Sequence, residues 1–236
     1  MKKQCFLIIS IYSSMHGMHI SWSVFKQMAP AVRKELEQEL ITAAAEGDLD
    51  RVKTLVNRKH VNPDAISKIT TPLAHAADAG HLAVVTFLVN EARANPNQAR
   101  PDMVTPLLVA AENGHETVVE FLLFRNANPN QADKLFRTPL GQASDQHERI
   151  VTLLLQAKAS PNIPDWQGVT PLMCASDANK ISIAELLLKH GACKNAVNKA
   201  RKIAADYATT EVMRTLLTPS TPNNTDQGIL FIDSKQ

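Results

Sequence analysis

Five carboxylates, Glu46, Asp78, Glu112, Asp145 and Asp177, recur at nearly the same place in a periodic chain, each just after a pair of small residues. Like-signed groups repeated on successive elements form a field that steers and orients a basic partner. A second set of recurring positions carries large apolar groups beside charge: Met103 next to Asp102, Leu135 and Phe136 next to Lys134, and Trp166 before Gln167. Apolar side chains of that size, held at turns between helices, are the usual anchors of a protein contact. Trp166 is the strongest of them, being one of two tryptophans.

Other reactive residue types point nowhere so definite. His81 and His115 each follow a turn glycine and read as structural hydrogen-bonding groups. His16 and His19 stand beside Met15 and Met18, too thin a set for a soft-metal site. Cys174 falls on an expected helix and reads as core, and Cys193 falls in a turn with no neighbouring base. The chain contains no H-E-x-x-H, G-x-S-x-G, glycine-rich phosphate loop or Cys-x-x-Cys. No catalytic residue, cofactor or metal is therefore expected, and the protein is read as a non-enzyme.

Composition narrows the partners. A net charge of +2 gives no field for nucleic acid, and no run of roughly 18 apolar residues offers a membrane span. Three scattered cysteines, Cys5, Cys174 and Cys193, fit a reducing, cytoplasmic setting and no disulfide framework. Against this, Met1-Lys2-Lys3 and the apolar run from Cys5 to Tyr12, with small residues at Ser21 and Ser23, resemble a secretory signal. Residues 1–29 are either such a leader, implying export, or an extension ahead of a start at Met15, Met18 or Met28.

The elements that position these residues follow from self-comparison of the chain. Thr-Pro-Leu occurs at Thr71, Thr105, Thr138 and Thr170, at spacings of 34, 33 and 32 residues. A degraded copy starts at Ile203, and an earlier one is marked by Leu40, Ala43, Ala44 and Gly47, which suggests six units over residues 30–218. Asn-Pro-Asn recurs in phase at Asn95 and Asn128, with variants at Asn62 and Ser160. Within each unit Thr caps a first helix and Pro fills its first turn. Gly47, Gly80 and Gly114 allow the positive φ of the return turn, and a second helix carries the larger apolar residues, such as Val84, Val85, Phe87 and Leu88. One hairpin cannot bury its own apolar face, so the units must stack into an all-α solenoid.

The period and the Thr-Pro-Leu, Ala-Ala and Gly-His signatures resemble the ankyrin repeat over about residues 30–218. The resemblance implies short first helices lining a concave face, extended turns projecting as fingers, and a protein partner docked there. On that frame Glu46, Asp78, Glu112, Asp145 and Asp177 form an acidic ladder, with rungs on the order of 10 Å apart, that either meets a basic partner or is a solvated face. The fingers present Lys68 and Ile69, then Met103, then Leu135 and Phe136, then Trp166, then Lys199 and Arg201. The Trp166 indole either serves as an anchor or folds onto a neighbouring finger. The rival roles are an exported ankyrin protein or a regulatory component of an enzyme system.

Departures from the pattern carry expectations too. Repeat four has His147, and repeat five Asn179, where glycine is expected. Asn tolerates the left-handed conformation better than His. The turn of repeat four should therefore be strained and relieved by His147→Gly. Residues 219–236 read as a disordered tail, with Ile229 to Ile232 as a short apolar motif.

Overall fold

A computed structural model of the chain describes residues 30–66 and 70–218. The leader, the tail, and Lys68 and Ile69 of the first finger lie outside the described residues. Among the described residues all regular structure is helical. The first layer consists of α1 (Pro30–Glu46), α3 (Pro72–Asp78), α5 (Pro106–Glu112), α7 (Pro139–Ala143) and α9 (Pro171–Asp177), closed by a 3-10 turn at Ala204–Tyr207. The second layer consists of α2 (Leu49–Lys53), which runs on into a wider turn at Thr54–Arg58, then α4 (Leu82–Asn90), α6 (Glu116–Phe124), α8 (Glu148–Gln156), α10 (Ile181–Lys189) and α11 (Glu211–Leu217). Each first-layer helix packs on the next, and each second-layer helix does the same.

The local causes are visible at the helix starts. Thr71, Thr105, Thr138 and Thr170 are buried, and their hydroxyls accept from the amides of Ala74, Leu108, Gly141 and Met173. Each satisfies one N–H that the helix itself leaves unpaired, and the proline that follows supplies none. The first-layer helices bury small groups, including Ala76, Ala77, Ala110 and Ala111, so they approach one another closely. The larger Val84, Leu88, Val118, Leu122, Ile150, Leu154 and Leu187 fill the space between layers. The result is one apolar core running the length of the stack.

Two devices join one unit to the next. A Cβ on Gly47, Gly80 or Gly114 would sit 2.6–2.7 Å from the ring of His81, His115 or His147 in the following unit. The same rings reach the carbonyls of Ala45, Asp78 and Glu112 at 3.0, 2.7 and 3.3 Å. These glycines are thus required twice, for φ near 75° and for the ring that covers them. The second device is a ladder of amides. Asn97, Asn130 and Asn162 each accept from a backbone N–H of the next unit, at Asn128, Ser160 and Cys193, and donate back to the carbonyls of Asn126, Lys158 and Gly191.

The expectation for His147 is corrected here. Its φ is −109°, and no residue from Ser144 to His147 is left-handed. Thr71 and Thr105 each stand ten residues before the stacked histidine, whereas Thr138 stands nine before His147. Helix α7 has five residues where α3, α5 and α9 have seven, so repeat four has lost one position and with it the left-handed turn. His147 is the counterpart of His81 and His115, not of the glycine. In repeat five Asn179 does take the glycine's place, at φ 53°.

Candidate protein-binding surface

The fingers are built from short loops pinned by a side chain at their base. Asp133 accepts at one carboxylate oxygen from the amides of Leu135 and Arg137, at 2.8 and 2.9 Å. Asp165 does the same for Gln167 and Val169, and Asn198 for Ala200 and Lys202. In the finger carrying Met103 the equivalent residue is Arg100, and Asp102 takes over by accepting from Val104 N–H and from the Arg100 guanidinium. That guanidinium holds the Asp102 carboxyl below the usual carboxylate range.

The tips are tied to one another. Lys134 N–H donates to Asp102 carbonyl, Trp166 N–H to Leu135 carbonyl, and Lys199 N–H to Gln167 carbonyl. Four fingers therefore form one continuous edge. Along it stand Met103, Leu135, Phe136 and Trp166, 46, 46, 61 and 48% exposed. The Trp166 ring lies under the Lys199 ammonium of the next finger, 5.9 Å from the centroid, and still presents half its surface to solvent. Met103, Phe136, Gly168 and Arg201 share one position in the loop, and all four have φ between 58° and 82°. Glycine is the residue that takes this conformation without steric cost. Methionine and phenylalanine there hold an exposed apolar side chain on a strained backbone, a feature the sequence signals only through alignment with Gly168.

The carboxylate ladder is less uniform than its residue types suggest. Glu46 is paired with Arg51 at 3.2 Å, and Glu112 lies 3.7 Å from Arg137 and accepts from Gln142. Asp78 accepts from the Asn113 amide at 2.8 Å. Arg100, whose proton is held chiefly by Asp102, also feels the charges of Asp78 and Glu112. Three of the five rungs are thus attended by arginine. Among the described residues Asp145 accepts from the neighbouring Gln146 amide and is paired with no cation, and the exposed Asp177 is paired with none either. Together with Asp165 these two place negative potential on Cys174, and with burial as the larger cause they push its thiol up to about 12. Cys174 is thus a half-buried thiol, outside the fully buried core, whose surroundings favour the protonated and less nucleophilic form.

The histidines of the stack are engaged with backbone carbonyls and covering glycines, as described above. Among the described residues no group of His, Cys, Asp and Glu is arranged to hold a metal, and no helix is long and apolar enough to cross a membrane.

The family model for ankyrin repeats matches three times, over residues 40–133, 127–198 and 142–227. The chain belongs to the ankyrin-repeat family. No curated protein matches it. Ankyrin repeats are generally protein–protein interaction modules, and their fold is typically non-enzymatic.

Proposed function

We propose that this ankyrin stack binds a protein partner along its finger edge and the adjoining concave face, acting as an interaction or scaffolding module. The observation that carries the reading is the row of Met103, Leu135, Phe136 and Trp166, exposed side by side on fingers that are hydrogen-bonded to one another. A rigid apolar row loses little conformational freedom on binding, so its burial goes largely into affinity. Two of its members, Met103 and Phe136, also sit in a backbone conformation that costs a side chain, so the apolar groups there do not favour the turn itself.

The ladder takes a smaller part than its five residues suggest. Glu46 and Glu112 are paired with arginine and Asp78 lies in the field of Arg100, whereas Asp145 and Asp177 have no arginine paired with them among the described residues, so a basic group of the partner would be drawn to Asp145 and Asp177. We place the protein in a reducing compartment on its three unpaired-spacing cysteines; a mature N-terminus at or after Ser23 would instead mark an exported protein.

The test is capture of a partner by tagged full chain, followed by kinetics of the captured pair. Trp166→Ala or Phe136→Ser should raise the dissociation rate about tenfold or more, consistent with loss of an anchor worth at least 1–2 kcal/mol. Val212→Ser, at another exposed apolar residue on α11, should change nothing. Neutralising Glu112, Asp145 and Asp177 together should slow association in a salt-dependent way. If the two tip variants bind like wild type, the finger edge is not the contact surface.

A further inference from the structure

The edge that carries the apolar row also carries cations that no carboxylate pairs among the described residues. Lys134 stands beside Leu135, and Lys199 and Arg201 stand on the last finger next to Trp166. All three are exposed, and none has a carboxylate within 4.0 Å among the described residues. The acidic groups of the same fingers are otherwise occupied: Asp102 by Arg100, Asp133 by Arg137, and Asp165 by two backbone amides. Fingers three to five thus present apolar surface and an excess of positive charge: three exposed cations against the half-buried Asp165, whose carboxylate has no cation within 4.0 Å among the described residues.

Charge is therefore divided across the binding surface. The first-helix layer ends in uncompensated Asp145 and Asp177, while the fingers beyond it end in Lys134, Lys199 and Arg201. A wholly basic partner would meet repulsion at the very edge where the apolar anchors sit. We infer that the finger edge takes a peptide segment of acidic and large apolar residues, its apolar groups against Phe136 and Trp166 and its carboxylates against Lys134, Lys199 and Arg201. This rests on the binding reading above and adds the chemistry of the partner. Carboxylates offered to exposed ammonium and guanidinium groups speed encounter and set register, while the aromatic contacts hold the complex. Lys199 is already held over an indole face, so its charge is in place before the partner arrives.

The experiment is selection of a random twelve-residue peptide library on the full chain, with no assumption about charge. Selected peptides should be enriched at least threefold in Asp and Glu over the naive library, adjacent to Leu, Phe or Trp. Synthetic copies should bind Lys134→Glu/Lys199→Glu/Arg201→Glu at least tenfold more weakly than wild type, and the loss should shrink in high salt. A control reversal at the two ends of α10, Lys180→Glu at its N-cap and Lys189→Glu in its last turn, should leave binding within about twofold, and melting curves should show both variants folded. Selected peptides that are basic or without charge bias, or that ignore the finger reversal, overturn the inference. So does a failure to select any binder while vesicles of phosphatidylserine and phosphatidylcholine sediment the chain, since the edge would then face an anionic membrane. A basic captured partner whose binding still depends on Phe136 and Trp166 would sink this inference alone and leave the module reading standing.

Discussion

Asp64→Asn should stabilise the protein. In the amide ladder Asn97, Asn130 and Asn162 each accept from one backbone N–H and return a hydrogen bond to a carbonyl two residues earlier in the same turn, at 3.3, 3.3 and 2.8 Å. Asp64 occupies the first place in that ladder and accepts from Asn95 N–H at 3.0 Å, but a carboxylate has nothing to donate to Arg93, whose φ of 60° matches the 61° of Asn126 and 65° of Lys158. Burial also disfavours its charge and raises its proton affinity above the ordinary carboxylate value, against the opposing pull of the Asn95 amide. An asparagine supplies the missing donor and removes the charge. One part-exposed hydrogen bond contributes about 0.5–1 kcal/mol, which in a domain of this size is a rise in Tm of about 1–4 °C. The gain has a pH signature. A group with a raised folded-state pKa stabilises fully below its unfolded value and loses that contribution as pH rises through the folded one. Wild type therefore forfeits it at neutral pH, the asparagine variant does not, and the difference should narrow as pH falls toward 4, where a protonated Asp64 can itself donate. Chemical denaturation at pH 7 and pH 4 measures this, with Asn130→Asp as the mirror experiment expected to lose about as much. A destabilised variant at pH 7, or a difference that widens toward pH 4, would show that the ladder bond is not what the asparagines contribute.

Other outcomes follow from the same contacts. His147→Gly should lower stability by about 1 kcal/mol in denaturant melts, because it removes the ring that covers Gly114 and frees a backbone that is not left-handed. Phe136→Gly should be more stable than Phe136→Ala by about 0.5–1 kcal/mol, since both lose the same side chain and only alanine retains the steric cost of φ 58°; equal midpoints would show an unstrained turn. With its thiol pushed up to about 12 and half-buried, Cys174 should resist iodoacetamide at pH 8 in the folded protein and react on unfolding, as read by peptide mass.

The repeat architecture was legible in the chain because its signals are local. Threonine capping, proline at the first helical turn and glycine at a left-handed turn each act within a few residues, so their recurrence every 32 to 34 positions located the first-helix starts at Pro72, Pro106, Pro139 and Pro171. The exposed tips at Met103, Leu135, Phe136 and Trp166 were also readable, as apolar residues in stretches otherwise made of turn formers. What depended on packing across units could not be read in this way. That His147 stacks on Gly114 was hidden by a single lost residue in repeat four, which only the contact between repeats resolves. That arginines attend Glu46, Asp78 and Glu112 but not Asp145 and Asp177 depends on which finger or helix lies against each rung. Ion pairs between side chains on different elements are imposed by how neighbouring units dock, whereas the left-handed backbone at Met103 and Phe136 is closed by hydrogen bonds within each finger and is masked in the sequence by residues that do not favour it. A period in sequence states that units stack, while the charge left exposed on the stacked face is settled by the contacts themselves.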